Sequence, residues 1–373
     1  MKITFVLSTV GLAGGIRSTA VLAEHLKKRG HEVLAVYPAR RQPTLKQQVR
    51  SLWQGKGLIS RSKKGSSHFD DVDVDLRGIE HPAPITDADL PDADIVVATW
   101  WATAYWVDKL SESKGAKVYF IRHHEVFDYF TKENKDRAAA TYSLPMHKVT
   151  ISKWLIDIMR NEYNDSNVSL VPNSIDTNKY YAPPRGKQPS PTVGMVYSKA
   201  DWKGCDISLK AFSLAAPNIP NLRLVAFGLS EPSPDLPLPP DTEYVRQPPQ
   251  HTIKDFYAKC DAWLFGSRLE GFGRPILEAM ACRTPVIGTP AGAAPELLSD
   301  GAGILVKPED PENMARAIEQ VCQLSEPEWQ AMSDAAYAKA SSYTWDDAAK
   351  LCEQAFYTAI ERTKRGDFSN QVP

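Results

Sequence analysis

Gly266-Ser-Arg-Leu-Glu270-Gly-Phe-Gly-Arg-Pro-Ile-Leu-Glu278-Ala-Met-Ala-Cys-Arg-Thr-Pro-Val-Ile-Gly288 sets the architecture expected of the whole chain. The apolar run just before it, 262–265, predicts a buried parallel strand. That strand feeds a loop with one carboxylate and two glycines, after which Pro275 opens an apolar-periodic helix. Such a turn suits a phosphate. Gly271 and Gly273 let the backbone bend tightly and aim N–H groups at an anion, and the helix N-terminus adds partial positive charge. Glu270 precedes the turn and Glu278 lies within the first turns of the helix, so two carboxylates frame the anion site.

The cradle belongs to a longer βαβ series. Ahead of it come a strand at 193–197, Lys203-Gly204, a helix at 206–215, strands at 222–227 and 242–246, and a helix at 252–259. Behind it, 291–296 is a further small-residue turn into a helix and 303–306 a late strand. The series starts after 180–191, a proline-rich polar stretch that reads as a domain boundary.

The first half of the chain has the same organisation. A strand at 3–7 runs into a loop with Gly11 and Gly14-Gly15, then a helix at 18–29 closed by Gly30, then a strand at 33–37. The glycine-rich turn suits an anionic ligand, but its Gly-x-x-Gly-Gly spacing and the lack of an acidic residue after the second strand argue against nicotinamide binding. Asp70 to Asp75 alternates acid and valine, which predicts a solvated strand face rather than a metal site. Strands at 95–99 and 118–121 enclose an aromatic-rich helical segment, 100–110, and the second delivers Arg122-His123-His124-Glu125 to the carboxyl edge of the sheet. The histidines there are open to three roles: general acid or base, metal ligand, or hydrogen-bonding anchor. Metal is the least favoured, because no third ligand follows at suitable spacing. Short strands at 147–151 and 168–171 flank a helix at 154–163.

At 373 residues the chain is long enough for two domains with separate cores. The expected division is 1–180, 181–344 and a helical tail, 345–373, returning to the first domain. The fold class is α/β, two facing Rossmann-like domains with a cleft between them. Lys plus Arg number 44 against 45 Asp plus Glu, so no global field draws the chain to nucleic acid or a membrane. A local one is present: 33–69 lacks acidic residues and holds Arg40, Arg41, Lys46, Arg50, Lys56, Arg61, Lys63 and Lys64. Leu45, Val49, Leu52 and Trp53 recur there at helical spacing, so 40–64 reads either as a solvated loop or as a basic amphipathic helix touching an acceptor or a membrane surface. The five cysteines lack any Cys-x-x-Cys pair and read as apolar fillers in a reducing compartment. The N-terminus reads as a first strand rather than a signal peptide, and no apolar run reaches transmembrane length. The expectation is a cytoplasmic protein, with membrane association at the cytoplasmic face if the basic segment serves as a contact.

The stretch from Glu270 to Ala281 resembles the signature of retaining GT-B glycosyltransferases of the glycogen-synthase-like and sucrose-synthase-like superfamily, the family 4 type. Gly14-Gly15, Pro172-Asn173-Ser-Ile-Asp176, Lys203-Gly204 and Gly292 to Glu296 agree with it in the family's order along nearly the whole chain. The resemblance implies a nucleotide-activated sugar as donor, a UDP- or GDP-sugar held mainly by the second domain. The acceptor, a glycan or lipid-linked glycan, would sit on the first. Glu278 would bind the ribose hydroxyls and Glu270 the sugar hydroxyls. Lys203 and the amides of Gly271, Phe272 and Gly273 would hold the diphosphate, and Gly15 would approach it from the other domain. His123 or His124 would stand beside the transferred sugar, which makes Glu270, Lys203 and this pair the expected catalytic residues. No cofactor or metal is implied, since the nucleotide sugar is a substrate and fixed donors aimed at the departing diphosphate lower the barrier by themselves.

One departure matters. The family's arginine five residues before the lysine is Ser198 here, with Lys199 beside it. Either Lys199 supplies the second cation or the site holds diphosphate with one fewer. The missing arginine also supports an alternative, a nucleotide- or glycan-binding protein without turnover. Hydrolysis by two facing carboxylates is disfavoured, because 270 and 278 on one helix would stand about 12 Å apart, beyond hydrolase spacing.

Overall fold

In the computed structural model, which describes residues 1–39, 50–53 and 66–368, the continuous apolar runs become strands buried on both faces. Phe5, Val97 and Phe120 in the first half, and Val193, Trp263 and Ile287 in the second, are fully buried, as strands covered by helices on both sides must be. β1 (Lys2–Val6), β2 (Glu32–Tyr37), β3 (Asp75–Gly78), β4 (Ile95–Ala98), β5 (Ala116–Ile121), β6 (His147–Thr150) and β7 (Val168–Leu170) form a seven-stranded sheet in the order β3-β2-β1-β4-β5-β6-β7. Every pairing in it is parallel. β8 (Thr192–Tyr197), β9 (Arg223–Gly228), β10 (Glu243–Arg246), β11 (Ala262–Phe265), β12 (Val286–Gly288) and β13 (Gly303–Leu305) form a second parallel sheet, ordered β10-β9-β8-β11-β12-β13. In each sheet the order reverses once, between β1 and β4 and between β8 and β11. Ligands of open α/β sheets bind at the carboxyl ends of the strands flanking such a reversal.

The chain divides into two units, one of residues 1–150, 156–171 and 349–373, the other of 151–155 and 172–348. The passage to the second unit falls at Pro172, ahead of the proline-rich stretch. Ser174 donates to the Tyr343 carbonyl at 2.6 Å and Tyr180 packs its ring against Tyr257, so these residues are already committed to that unit. The tail helix Trp345–Arg365 belongs to the first unit from Ala349 on. Glu353 pairs there with Arg29 and His31, and Arg362 donates to His147 Nδ1 at 3.0 Å and to the Asn167 carbonyl at 3.2 Å. Burial and the Arg362 guanidinium push His147 down to about 4, so its ring stays neutral and can accept.

Two local expectations are corrected. Gly14 and Gly15 are not loop residues but the first turn of the helix Gly14–Lys28. Ser18 and Thr19 bond back to the carbonyls of Gly14 (3.2 Å) and Gly15 (2.8 Å). The alternating strand at 70–75 is also absent. Ser67 and Asp70 close a reciprocal cap around a 3₁₀ turn, His68–Asp71, and β3 begins only at Asp75. The helices Lys132–Thr141 and Pro311–Gln323, capped by Thr131 and Asp310, go beyond the sequence reading. The basic segment 40–64 lies outside the described residues except for 50–53, which are helical, with Trp53 93% exposed. All five cysteines are free.

β6 also carries an ion pair with no access to solvent. Lys148 Nζ lies 2.7 Å from Asp165 Oδ2, and the two side chains are only 1% and 2% exposed. Burial, with a smaller push from the Arg362 charge, pulls the Lys148 ammonium down, and Asp165 opposes the shift. Asp165→Asn leaves that charge buried without its partner, and removing one member of such a pair typically costs about 3–5 kcal/mol. Urea denaturation of the variant should register this loss, whereas a change below about 1 kcal/mol would mean that water screens the pair.

Candidate functional site

In the second unit, β8 and β11 deliver two loops side by side. After β8 come Ser198 and Lys199, a 3₁₀ turn, Asp201–Lys203, and Gly204 at the start of the helix Cys205–Ala215. After β11 come Gly266, Ser267 and Glu270, then the glycine turn and the helix Arg274–Ala281. The loops meet backbone to backbone at Gly204, whose φ is +56°. A Cβ there would lie 1.8 Å from the Gly266 carbonyl oxygen. Arg268 N and Leu269 N donate to the Trp202 carbonyl at 2.9 and 3.3 Å, and the Arg268 guanidinium ties the loop to Asp206 and Glu309.

This approach brings Lys203 to Glu270. Lys203 Nζ donates to Glu270 Oε1 at 2.5 Å, and Ser267 Oγ donates to the same oxygen at 3.0 Å. Both side chains line a cavity of about 40 Å³ with Gly266, Ser267 and Pro275. Gly273 caps the following helix with φ +92°, in van der Waals conflict with any side chain there because Phe265 stands 2.9 Å from the Cβ position. Gly271 O accepts from Ser152 Oγ at 2.9 Å and Phe272 O from Ala293 N at 2.8 Å, so the turn is held through its carbonyls. Glu278 is buried, its Oε1 accepting from Arg274 Nη2 and its Oε2 from Tyr257 OH, both at 2.9 Å. Burial holds the Tyr257 hydroxyl far above its ordinary range, which keeps it a donor.

Ser198 turns inward to its own loop: its N–H donates to Cys205 Sγ at 3.1 Å and its Oγ accepts from Ala200 N at 3.2 Å. Lys199 is exposed beyond the end of β8. Neither fact gives the loop a second inward cation. Arg274, at the first position of the helix and only 19% exposed, is a cation the sequence reading passed over. Its i,i+4 spacing to Glu278 was the available signal. Ser267 and Tyr257 carried no such signal, since only folding brings them to the glutamates.

The other expected residues lie on the first unit. Gly15 is in the first turn of its helix, and a Cβ on it would sit 3.7 Å from Arg122 Cδ. His123 and His124 follow β5. His123 Nδ1 donates to the His124 carbonyl at 2.9 Å, and its ring centroid is 4.9 Å from that of Phe127. His124 Nε2 bonds to Tyr163 OH at 3.0 Å, and burial lowers its proton affinity, so the imidazole is neutral at neutral pH. Glu125, which follows the pair and to which the sequence assigned no role, is 1% exposed. Its Oε2 accepts from Trp101 N (2.6 Å) and Tyr119 OH (3.0 Å), while its own N–H donates to Tyr142 OH (2.7 Å). Burial pushes this carboxyl up to about 8. Among the described residues, no three His, Cys, Asp or Glu side chains gather where a metal ion could sit.

Residues 179–339 match the family of glycosyl transferases group 1. A D-inositol 3-phosphate glycosyltransferase of Streptosporangium roseum is 34% identical over 108 residues, 28% of this chain and 24% of its own length. One component of the phosphatidylinositol N-acetylglucosaminyltransferase of Arabidopsis thaliana is 26% identical over 221 residues, 56% of this chain and 48% of its own. The chain thus spans between a quarter and a half of these curated relatives. Among solved structures, Anabaena HepE in complex with UDP and glucose is 18% identical with a TM-score of 0.69, covering 97% of this chain and all of that one. WaaG, a glycosyltransferase involved in lipopolysaccharide biosynthesis, is 16% identical with a TM-score of 0.61, covering 96% and 99%. Two Rossmann-like domains of this kind make up the GT-B fold.

Glu125 provides a test of the first unit's electrostatics. A carboxyl whose folded value, about 8, exceeds its unfolded one stabilises the fold fully below the unfolded value of about 4.5, and this is lost as pH rises through 8. Melting temperature should therefore decline across that window in the wild type. Glu125→Gln, neutral at every pH, should abolish this part of the slope; an unchanged slope would assign the titration to another group.

Proposed function

We propose, starting from the glycosyl transferases group 1 domain at residues 179–339, that this protein transfers a sugar from a UDP- or GDP-sugar to a glycan or lipid-linked glycan acceptor, retaining the anomeric configuration and using no metal. The observation that carries this reading is the meeting of Lys203 with Glu270 at the order reversal of the second sheet, directly before the Gly271–Gly273 turn.

In this reading the diphosphate lies against the turn and Lys203. Breaking the glycosyl–phosphate bond leaves a diphosphate with extra negative charge and a sugar with oxocarbenium character. An ammonium and backbone N–H groups already in place stabilise the first without reorganisation. Glu270, 14% exposed, accepts from the sugar hydroxyls, and its charge opposes the positive charge growing on the ring. The departing oxygen lies on the face the acceptor enters, so it takes the acceptor's proton and no protein nucleophile is needed. One of His123 and His124 attends the transferred sugar. Neutral His124 is suited to a hydrogen bond rather than to ion pairing. Glu278 binds the ribose hydroxyls, and Arg274 and Tyr257 fix the plane of its carboxylate. With Ser198 turned inward and Lys199 exposed, Lys203 is the cation the diphosphate meets first. The basic segment 40–64 would contact an acceptor or anionic lipid surface at the cytoplasmic face. Among the described residues no helix is long and apolar enough to cross a membrane.

Lys203→Ala and Glu270→Ala should each lower the release of nucleoside diphosphate from UDP- and GDP-sugars by about 100-fold or more, the usual effect of removing one fixed transition-state donor. Wild-type rates in Lys203→Ala would refute the diphosphate assignment. Tight nucleotide binding by the wild type with no turnover toward any acceptor would favour the binding-protein alternative. Arg274→Leu should narrow the preference for a ribonucleoside diphosphate over its 2′,3′-dideoxy analogue by about fivefold, as expected for a misoriented charge-assisted contact. Calorimetry with the two ligands measures the ratio, and an unaltered ratio would separate Arg274 from ribose binding.

A further inference from the structure

The aromatic-rich segment after β4 has no part in the donor chemistry, yet the structure gathers it with the loop after β5. Trp100 stacks on Phe127 with centroids 6.0 Å apart and planes at 21°, and Phe127 stacks on Tyr129 at 5.1 Å and 14°. Trp101 and Phe130 brace the row edge-on: Phe130 stands at 82° to Phe127 and 85° to Tyr129. None of these rings is buried, and Tyr129 is 62% exposed. His123 joins the row at its middle ring, tilted 45° to Phe127.

The arrangement is anchored from below. Glu125 accepts from the N–H of Trp101, the first residue of the helix Trp101–Asp108, and it lies in the same loop as His123 and Phe127. One buried carboxyl therefore sets both halves of the row. Exposing this much aromatic surface on a rigid support marks a binding surface rather than a core.

We propose that this row is a stacking platform for a pyranose ring of a glycan acceptor, a reading that rests on the transfer function above. Tyr129, the exposed ring of the row, matches the flat C–H face of a pyranose, while the groups beside it match its hydroxyls. Tyr105 OH donates to the Arg137 carbonyl at 2.8 Å, the Arg137 guanidinium lies 5.4 Å from the Trp101 ring centroid, and Asp128 pairs with Lys135 at 2.7 Å. Asp128, Lys135 and Arg137 thus bring both signs of charge to the segment that carries the row. Such a rim offers donors and acceptors to a neutral sugar. It lacks the one-signed basic field that draws a protein to anionic lipid. Phe127, between Tyr129 and His123, links the platform to a residue expected at the reacting sugar.

The test uses the full chain with Tyr129→Ala and Phe127→Leu. Tryptophan fluorescence is titrated with methyl β-glucopyranoside and with disaccharides of glucose, mannose and N-acetylglucosamine. The wild type should bind at least one of them. Tyr129→Ala, a change at an exposed ring that leaves the core intact, should weaken that binding by about fivefold or more, with UDP and GDP affinity within twofold of wild type. No sugar bound by the wild type, or equal binding by both variants, overturns the platform. A third arm uses vesicles of neutral and of anionic phospholipid: wild-type flotation lost in Tyr129→Ala would overturn the carbohydrate assignment in favour of a membrane contact. Failure of the transfer reading has its own signature, no sugar-nucleotide turnover while sugar binding still depends on Tyr129.

Discussion

The close backbone approach of Gly204 to Gly266 is the constraint on which the second domain's site depends. Lys203 and Glu270 are separated by a long stretch of that domain's sequence, and they meet because two strand-end loops lie within carbonyl distance of each other. A side chain at Gly204 would have to occupy the position of a backbone oxygen, so the loops would part and the ammonium would leave the carboxylate. Arg268 closes the same seam from outside through Asp206 and Glu309. The charges of the site therefore follow from main-chain geometry, with side chains filling positions that the strands have already aligned.

Those charges are matched in advance. Glu270 is paired with Lys203 and Glu278 with Arg274, so each carboxylate meets a cation before any ligand arrives. In the proposed function a diphosphate would share Lys203 with Glu270. An ammonium has three protons and can serve both partners, whereas a carboxylate held by two donors keeps lone pairs for further hydroxyls. Pre-pairing also limits the desolvation cost of gathering carboxylates in a half-buried loop.

The first domain uses its buried polar groups differently. Glu125 ties a strand-end loop to a helix start, Lys148 and Asp165 lie against each other without solvent, and His147 accepts from Arg362 of the tail helix. Each joins segments distant in sequence. Unlike apolar packing, a buried hydrogen bond tolerates only one register, so these groups specify which loop, strand and tail helix belong together.

The two α/β halves, the glycine turn between Glu270 and Glu278, and the family resemblance were legible in the chain, because strand runs, glycine spacing and helix periodicity are written in neighbouring residues. The same patterns misplaced the start of the first helix and the strand expected at 70–75, where Ser18, Thr19 and Ser67 side chains bond to nearby backbone and override them. Folding in three dimensions was needed to establish that Lys203 meets Glu270, that Tyr257 reaches Glu278, that Glu125 receives the Trp101 N–H, and that Trp100, Phe127 and Tyr129 form one row. The physical reason is common to all four. Hydrogen bonds and ring stacking act over a few ångströms, and parallel sheets bring strand ends together only after long crossovers, so no local pattern in the chain records which ends will meet.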